Sequence, residues 1–157
     1  MTMSPIAARI VPAVAAVMLS MSALAEPADV VRAYVDAYNA HDVNAMLALV
    51  DDDLTWFMIE EDEMRTEISG TKYLELGMTA FFQAMPEGRS EIRALTVSGS
   101  FVSVVEEAFW QTADDSGSQC AMAVYEVIDE LIHRVWYYDS HPCDAPASPD
   151  DATIRQN

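Results

Sequence analysis

From Ser90 onward the sequence reads as β structure with almost no spare chain between strands. Segments rich in Val, Phe, Tyr and Trp fall near 91–97, 101–113, 119–127 and 131–139. Between them lie Ser98-Gly99-Ser100, Asp114-Asp115-Ser116-Gly117-Ser118 and Ile128-Asp129-Glu130. Connections this short join antiparallel neighbours, because a parallel return needs a crossover of about a dozen residues or more. A long antiparallel meander is therefore expected, and it must bury one face against something else.

The preceding stretch supplies that partner. Residues 28–39 place Val31, Tyr34, Val35 and Tyr38 at helical spacing, with Pro27 just before and Asp29 in the first turn, where an acid suits the helix dipole. A second helix is expected over 43–50, capped by Asp42, with Val43, Met46, Leu47 and Val50 on one face. Asp51-Asp52-Asp53 reads as a solvated turn. Leu54 to Ile59 reads as a strand, and Arg65 to Ser69 as a short return strand ending at Gly70. Thr71 is a candidate cap for a third helix through Ala84, with Leu74, Met78, Phe81 and Phe82 on its apolar face and Pro86-Glu87-Gly88 beyond it. Three helices on one face of an antiparallel sheet give an α+β domain, and a strongly curved sheet closed by those helices would enclose a cavity.

The N-terminus has a separate purpose. Met1 to Arg9 carries one cation and no acid, Ile10 to Leu24 is apolar or small, and Ala23-Leu24-Ala25 suits a signal-peptidase site. We expect a signal peptide over 1–25, a domain over 26–140 and a loose C-terminal segment over 141–157 containing Pro142, Pro146 and Pro149. The product would be exported, periplasmic or secreted, with no membrane association after cleavage. Removing Arg9 takes the net charge from −18 to −19. Such a chain repels phosphates and anionic lipid, which argues against nucleic acid as a partner. Cys120 and Cys143 form an even pair and are a disulfide candidate in an oxidising compartment, though two free thiols fit the sequence as well.

The run from Val30 to Asp42, followed by Met46-Leu47-Ala48-Leu49-Val50 and three aspartates, resembles the opening of the nuclear transport factor 2-like superfamily, in its SnoaL-like and ketosteroid-isomerase-like branch. Gly70 and Arg134-Val135-Trp136-Tyr137-Tyr138-Asp139 fit the same pattern. The resemblance spans about Ala28 to Ser140 and implies a conical α+β barrel, in which three N-terminal helices and a strongly curved antiparallel sheet surround one deep apolar pocket. In the isomerases a first-helix tyrosine donates to the developing oxyanion, and Tyr34 falls at that position. Their general-base aspartate falls at Met58 and their second oxyanion donor at Ala123, neither of which can serve. The epoxide-hydrolase-like branch loses its last-strand aspartate at Trp136, and its Arg-x-Asp pair is replaced by Glu106 and Glu107.

Alternation along the last strand puts Arg134, Trp136 and Tyr138 on one face, and the family match assigns that face to the pocket. Arg134 would then grip a carboxylate or enolate oxygen, or else stack on Trp136 and pair with a glutamate. By parity Glu106 and Trp110 point inward; Glu106 is a candidate base if desolvated, or a partner of Arg134. Trp56, Met58 and Tyr125 complete the candidate pocket, and for Trp56 and Met58 ordinary core packing is the plainer account. No histidine pair has metal-ligand spacing and no calcium loop, nucleophile elbow or phosphate loop occurs, so no metal or cofactor is expected.

Three functions fit these residues. One is an exported protein that binds a small, partly apolar molecule in an aromatic-lined pocket, turnover not being assured. Another is an isomerase, dehydratase or hydrolase using Tyr34, Glu106 and Arg134. The third is a non-catalytic dimerisation module, its pocket filled by Trp56, Trp110 and Trp136. A homodimer through the outer sheet face is expected in any of them, with Met122, Val124, Val135 and Tyr137 facing outward.

Overall fold

A computed structural model of the chain describes residues 25–112 and 114–143. Almost all of the expected signal peptide, and residues 144–157 of the expected C-terminal segment, lie outside the described residues. Helix α1 (Pro27–Asn39) starts at Pro27, whose missing N–H and fixed φ suit a first turn, and buries Val30, Val31, Tyr34, Val35 and Ala37. Helix α2 (Val43–Leu47) is capped by the Asp42 side chain, which accepts from Ala45 N–H at 3.0 Å. It stops three residues short of the expected Val50, because Val50 already belongs to a strand.

That strand, β1 (Val50–Glu60), takes in Asp51, Asp52 and Asp53. The expected acidic turn is thus extended chain: Val50 and Leu54 are buried and anchor the backbone, while Asp52 and Asp53 face solvent. A hairpin leads to β2 (Glu63–Ser69), and Gly70, at φ +84°, precedes α3 (Thr71–Ala84). This left-handed backbone suits glycine. Gly70 occupies the cap position and no side chain caps the helix, so Thr71 does not do so.

The meander follows as β3 (Arg89–Ser98), β4 (Phe101–Gln111), β5 (Ser116–Ile128) and β6 (Leu131–Tyr138). Asp129 and Glu130, both at positive φ, make the two-residue β5–β6 turn, the form that matches strand twist. The six strands lie in the order β2-β1-β6-β5-β4-β3. β1 runs parallel to β6, so the sheet is mixed rather than antiparallel throughout. The connection between those two strands contains all the other strands and α3, long enough for a parallel return. β2 and β3 remain as edges, and the curved sheet is not closed into a barrel.

The helices cover one face of this sheet. Val31, Tyr34, Met46 and Leu74 from the helices meet Leu54, Val102, Val104, Ala123, Tyr125, Ile132 and Val135 from the strands. On the opposite face Phe57 stacks on Trp136 at 5.8 Å and Phe101 lies 6.3 Å from the same ring. Half-exposed Met122 and Val124 belong to that outer face too, opposite Val105 and Ser103.

After β6 the chain turns back. His141 exchanges two backbone hydrogen bonds with Cys120 at 2.8 and 2.9 Å, and Cys143 forms a disulfide with Cys120 across a Cα separation of 4.9 Å. Among the described residues no helix is long and apolar enough to cross a membrane.

Candidate functional site

Between α1, α3 and the inner sheet face is a chamber of about 150 Å³. Tyr34 and Tyr38, one helical turn apart on α1, enter it from one side. Trp56 on β1, Glu106 on β4, Tyr125 on β5 and Tyr137 on β6 enter from the sheet, and Met78 and Phe81 from α3. The aromatic wall is continuous: Trp56 stacks on Tyr137 at 5.8 Å and meets Tyr125 edge-on at 6.4 Å, while Tyr34 lies 6.4 Å from Tyr125 and 6.5 Å from Trp56.

Glu106 is the charged group of this chamber. Its side chain is buried, and it accepts from Tyr125 Oη at 2.6 Å and from Ser90 Oγ at 3.1 Å. Ser90 is itself fixed by Asn39: the Asn39 amide donates to Ser90 O at 2.8 Å and accepts from Ser90 N–H at 2.7 Å. A residue at the end of α1 thus ties the edge strand β3 at the point that meets the carboxylate.

Desolvation raises the Glu106 carboxyl above the ordinary glutamate range, and the hydrogen bonds from Tyr125 and Ser90 oppose this in part. Burial, with the Glu106 charge added, also raises the phenols around it. Tyr38 is pushed up to about 12, and Tyr34, Tyr125 and Tyr137 are raised as well, so all four stay protonated and act as donors at neutral pH. Tyr125 spends its hydrogen on Glu106. The Tyr34 hydroxyl is buried and has no hydrogen-bond partner. An unsatisfied buried donor costs about 1–3 kcal/mol, and this one keeps its hydrogen for any acceptor that reaches it.

The structure brings Tyr34, Trp56, Glu106 and Tyr125 to one chamber, and Met58 to an adjoining cleft. Four other candidates lie elsewhere. Trp110 is on the inner face but beyond the chamber. Its ring packs on Gly117, where an added Cβ would come within 2.7 Å of it, and its Nε1 lies 3.4 Å from Asp115. Arg134 is exposed on the outer face and pairs with Glu126 rather than with Glu106. Trp136 and Tyr138 share that outer side, as β-partners of Phe57 and Ile59.

The assignment of faces on β6 that the family match implied is thus reversed, although the alternation from Arg134 to Tyr138 holds. Glu126 pairs with Arg134 but Val127 pairs with Ile132, so the ladder is irregular around His133. A bulged residue shifts the alternation by one. Ile132 and Val135 are both buried, and from there Tyr137 faces the chamber. Val135 and Tyr137 therefore do not face outward, and the outer patch consists of Trp136, Phe57, Phe101, Met122 and Val124.

Sequence reasoning missed Tyr38, Tyr137 and Ser90. Tyr38 was recoverable, since it lies four residues from Tyr34 on the same helix face. Ser90 carries no signal, because only the Asn39 contact gives it a place. Near the disulfide, Glu107 Oε2 lies 2.6 Å from Arg93 Nε on the outer face, which separates it from the chamber.

The chain resembles several solved structures at identities that speak for the fold alone. An uncharacterised cystatin-fold protein from Novosphingobium aromaticivorans is 22% identical with a TM-score of 0.64, over 72% of this chain and 97% of the other. A candidate SnoaL-like polyketide cyclase from Shewanella putrefaciens is 12% identical with a TM-score of 0.61, over 71% and 77%. An epoxide hydrolase of the limonene-epoxide-hydrolase-like type from M. tuberculosis is 18% identical with a TM-score of 0.59, over 71% and 80%. No curated protein matches significantly. The family profile of the SnoaL-like domain matches residues 31–135, which run from α1 to the middle of β6 and include the chamber's charged group and its unpartnered phenol. The chain belongs to the SnoaL-like domain family.

Proposed function

We propose that the protein binds a small, partly apolar molecule in the chamber, through an acceptor oxygen that takes the Tyr34 hydrogen. The observation that carries this is the buried Tyr34 hydroxyl without a partner, in a cavity walled by Trp56, Tyr125, Tyr137 and Phe81. Glu106 contributes a second polar contact. With its affinity for a proton raised by burial, it can hold a hydrogen to give to the same ligand oxygen. Native mass spectrometry of protein purified from its own host tests the reading. A retained small molecule in wild type that is lost from Tyr34→Phe is expected; the same retained mass in both proteins contradicts it.

A second reading is an enzyme of the isomerase, dehydratase or hydrolase kind. It is favoured by one observation: Glu106 is a desolvated carboxyl beside a phenol donor, the pairing that acid–base chemistry at a carbonyl uses. Arg134 takes no part in this version, being paired with Glu126. Both readings are of an exported protein that starts at Glu26; N-terminal sequencing of a soluble product that retains Met1 contradicts that part. Both also include a homodimer through the outer face, where Phe57, Trp136, Phe101 and Met122 make an apolar patch.

A further inference from the structure

A second space adjoins the chamber. It is a cleft of about 710 Å³ between α3 and the β1–β2 hairpin, and it shares Trp56, Met78, Phe81 and Tyr137 with the chamber as a common wall. Ile68 of β2 and Met58 of β1 form its far side. On α3, Tyr73 and Leu76 border it with 63% and 60% of their surfaces exposed, a large apolar area to leave in water. Gly77 lies beside them in mid-helix, where glycine costs about 1 kcal/mol relative to alanine. A Cβ added there would meet nothing within 4 Å. At this position the missing side chain leaves open space rather than relieving a clash or a strained backbone.

Resting on the proposed chamber function, we infer that this cleft is the subsite for the distal part of the same ligand, and that Gly77 sets how wide that part can be. The inner chamber is about the size that admits one benzene ring. A ligand held there by its oxygen at Tyr34 continues past Trp56 and Tyr137 into the cleft, under Gly77. The matching class is a phenol or cyclic ketone of one ring carrying an extended apolar substituent opposite its oxygen. The cleft's lining is apolar apart from Glu67 and the Tyr73 and Tyr137 hydroxyls, which disfavours a charged substituent. The four residues that line both spaces argue for this occupant over a segment of the chain itself.

Two probes separate the two spaces: 4-methylphenol, which needs the chamber alone, and 4-hexylphenol, which needs both. Affinities are read by calorimetry on wild type, Gly77→Ala and Gly77→Leu, with thermal melting to verify folding. In wild type 4-hexylphenol is expected to bind about tenfold or more tightly than 4-methylphenol, because each methylene taken from water favours binding. Gly77→Leu is expected to bring that ratio to about twofold while leaving 4-methylphenol within about twofold of wild type, and Gly77→Ala to lie between. A hexyl advantage that survives Gly77→Leu, or equal affinities in wild type, overturns the subsite and leaves the chamber function standing. Loss of both probes from a Gly77→Leu protein that melts normally also overturns it. Failure of wild type to bind either probe overturns the chamber function and this inference together.

Discussion

Tyr125 donates its hydroxyl hydrogen to Glu106 at 2.6 Å, and both side chains are buried. Tyr125 is thereby committed to the carboxylate, while Tyr34, across the same chamber, has no partner. One phenol holds the carboxylate in place and the other keeps its hydrogen unspent, which is what the proposed ligand contact uses. The expectations below follow from that division.

The proton on Glu106 couples the chamber to stability. Burial raises its affinity for a proton above that of the unfolded chain, so the folded state holds this proton more tightly. That contribution is complete below the ordinary value of 4.5 and is lost as pH rises through the raised value of the folded protein. Glu106→Gln removes the titration while keeping an acceptor for Tyr125. In denaturant titrations from pH 4 upward, wild type is expected to lose stability relative to Glu106→Gln as pH rises. Parallel curves for the two proteins would contradict this.

Tyr34→Phe removes the unpartnered hydroxyl and keeps the ring. Without ligand the variant is expected to be more stable than wild type by about 1 kcal/mol, the low end of the cost of an unsatisfied buried donor. It is also expected to bind 4-methylphenol about tenfold more weakly, since a hydrogen bond between donor and ligand oxygen is lost. Destabilisation by more than about 1 kcal/mol would mean that the hydroxyl has a structural partner.

The disulfide ties the segment after β6 to β5. Cys120 and Cys143 are 23 residues apart, and closing a loop of that size contributes about 3 kcal/mol by the chain-entropy argument. Cys143→Ser is expected to lower stability by about 2–4 kcal/mol in urea and to leave the fold intact by circular dichroism. Alkylation of unreduced, denatured wild type should find no thiol; two alkylated cysteines would contradict the pairing.

On the outer face, Trp136 contacts both Phe57 and Phe101. Trp136→Glu puts a charge at the centre of that patch, and an unpaired buried charge is costly. Wild type is expected to sediment as a dimer at micromolar concentration and physiological salt, where distant charges are screened beyond about 8 Å. The variant is expected to be monomeric. A monomeric wild type would contradict the dimer.

Much of this architecture can be read from residue order. The short turns gave the meander, helical spacing gave α1 and α3, and the alternation on β4 separates Glu106 from Glu107. What was not legible has identifiable causes. The alternation from Arg134 to Tyr138 was legible, but which of its two faces meets the helices was not. The bulge at His133 breaks the count from buried Ile132, and the family match turned Arg134, Trp136 and Tyr138 inward in place of Val135 and Tyr137. The parallel β1–β6 pairing joins segments about eighty residues apart, and no local pattern encodes it. Val50 and Thr55, on either side of Asp51, Asp52 and Asp53, both pair with β6, so the strand runs through the acidic run. Ser90 needed the Asn39 contact, which is long-range as well.

The most direct test of the central claim is a crystal structure with 4-methylphenol bound. The account expects the ring between Trp56, Phe81 and Tyr137, with its oxygen within about 3 Å of Tyr34 Oη. A probe bound elsewhere, or one seated in the chamber with its oxygen away from Tyr34, would contradict it.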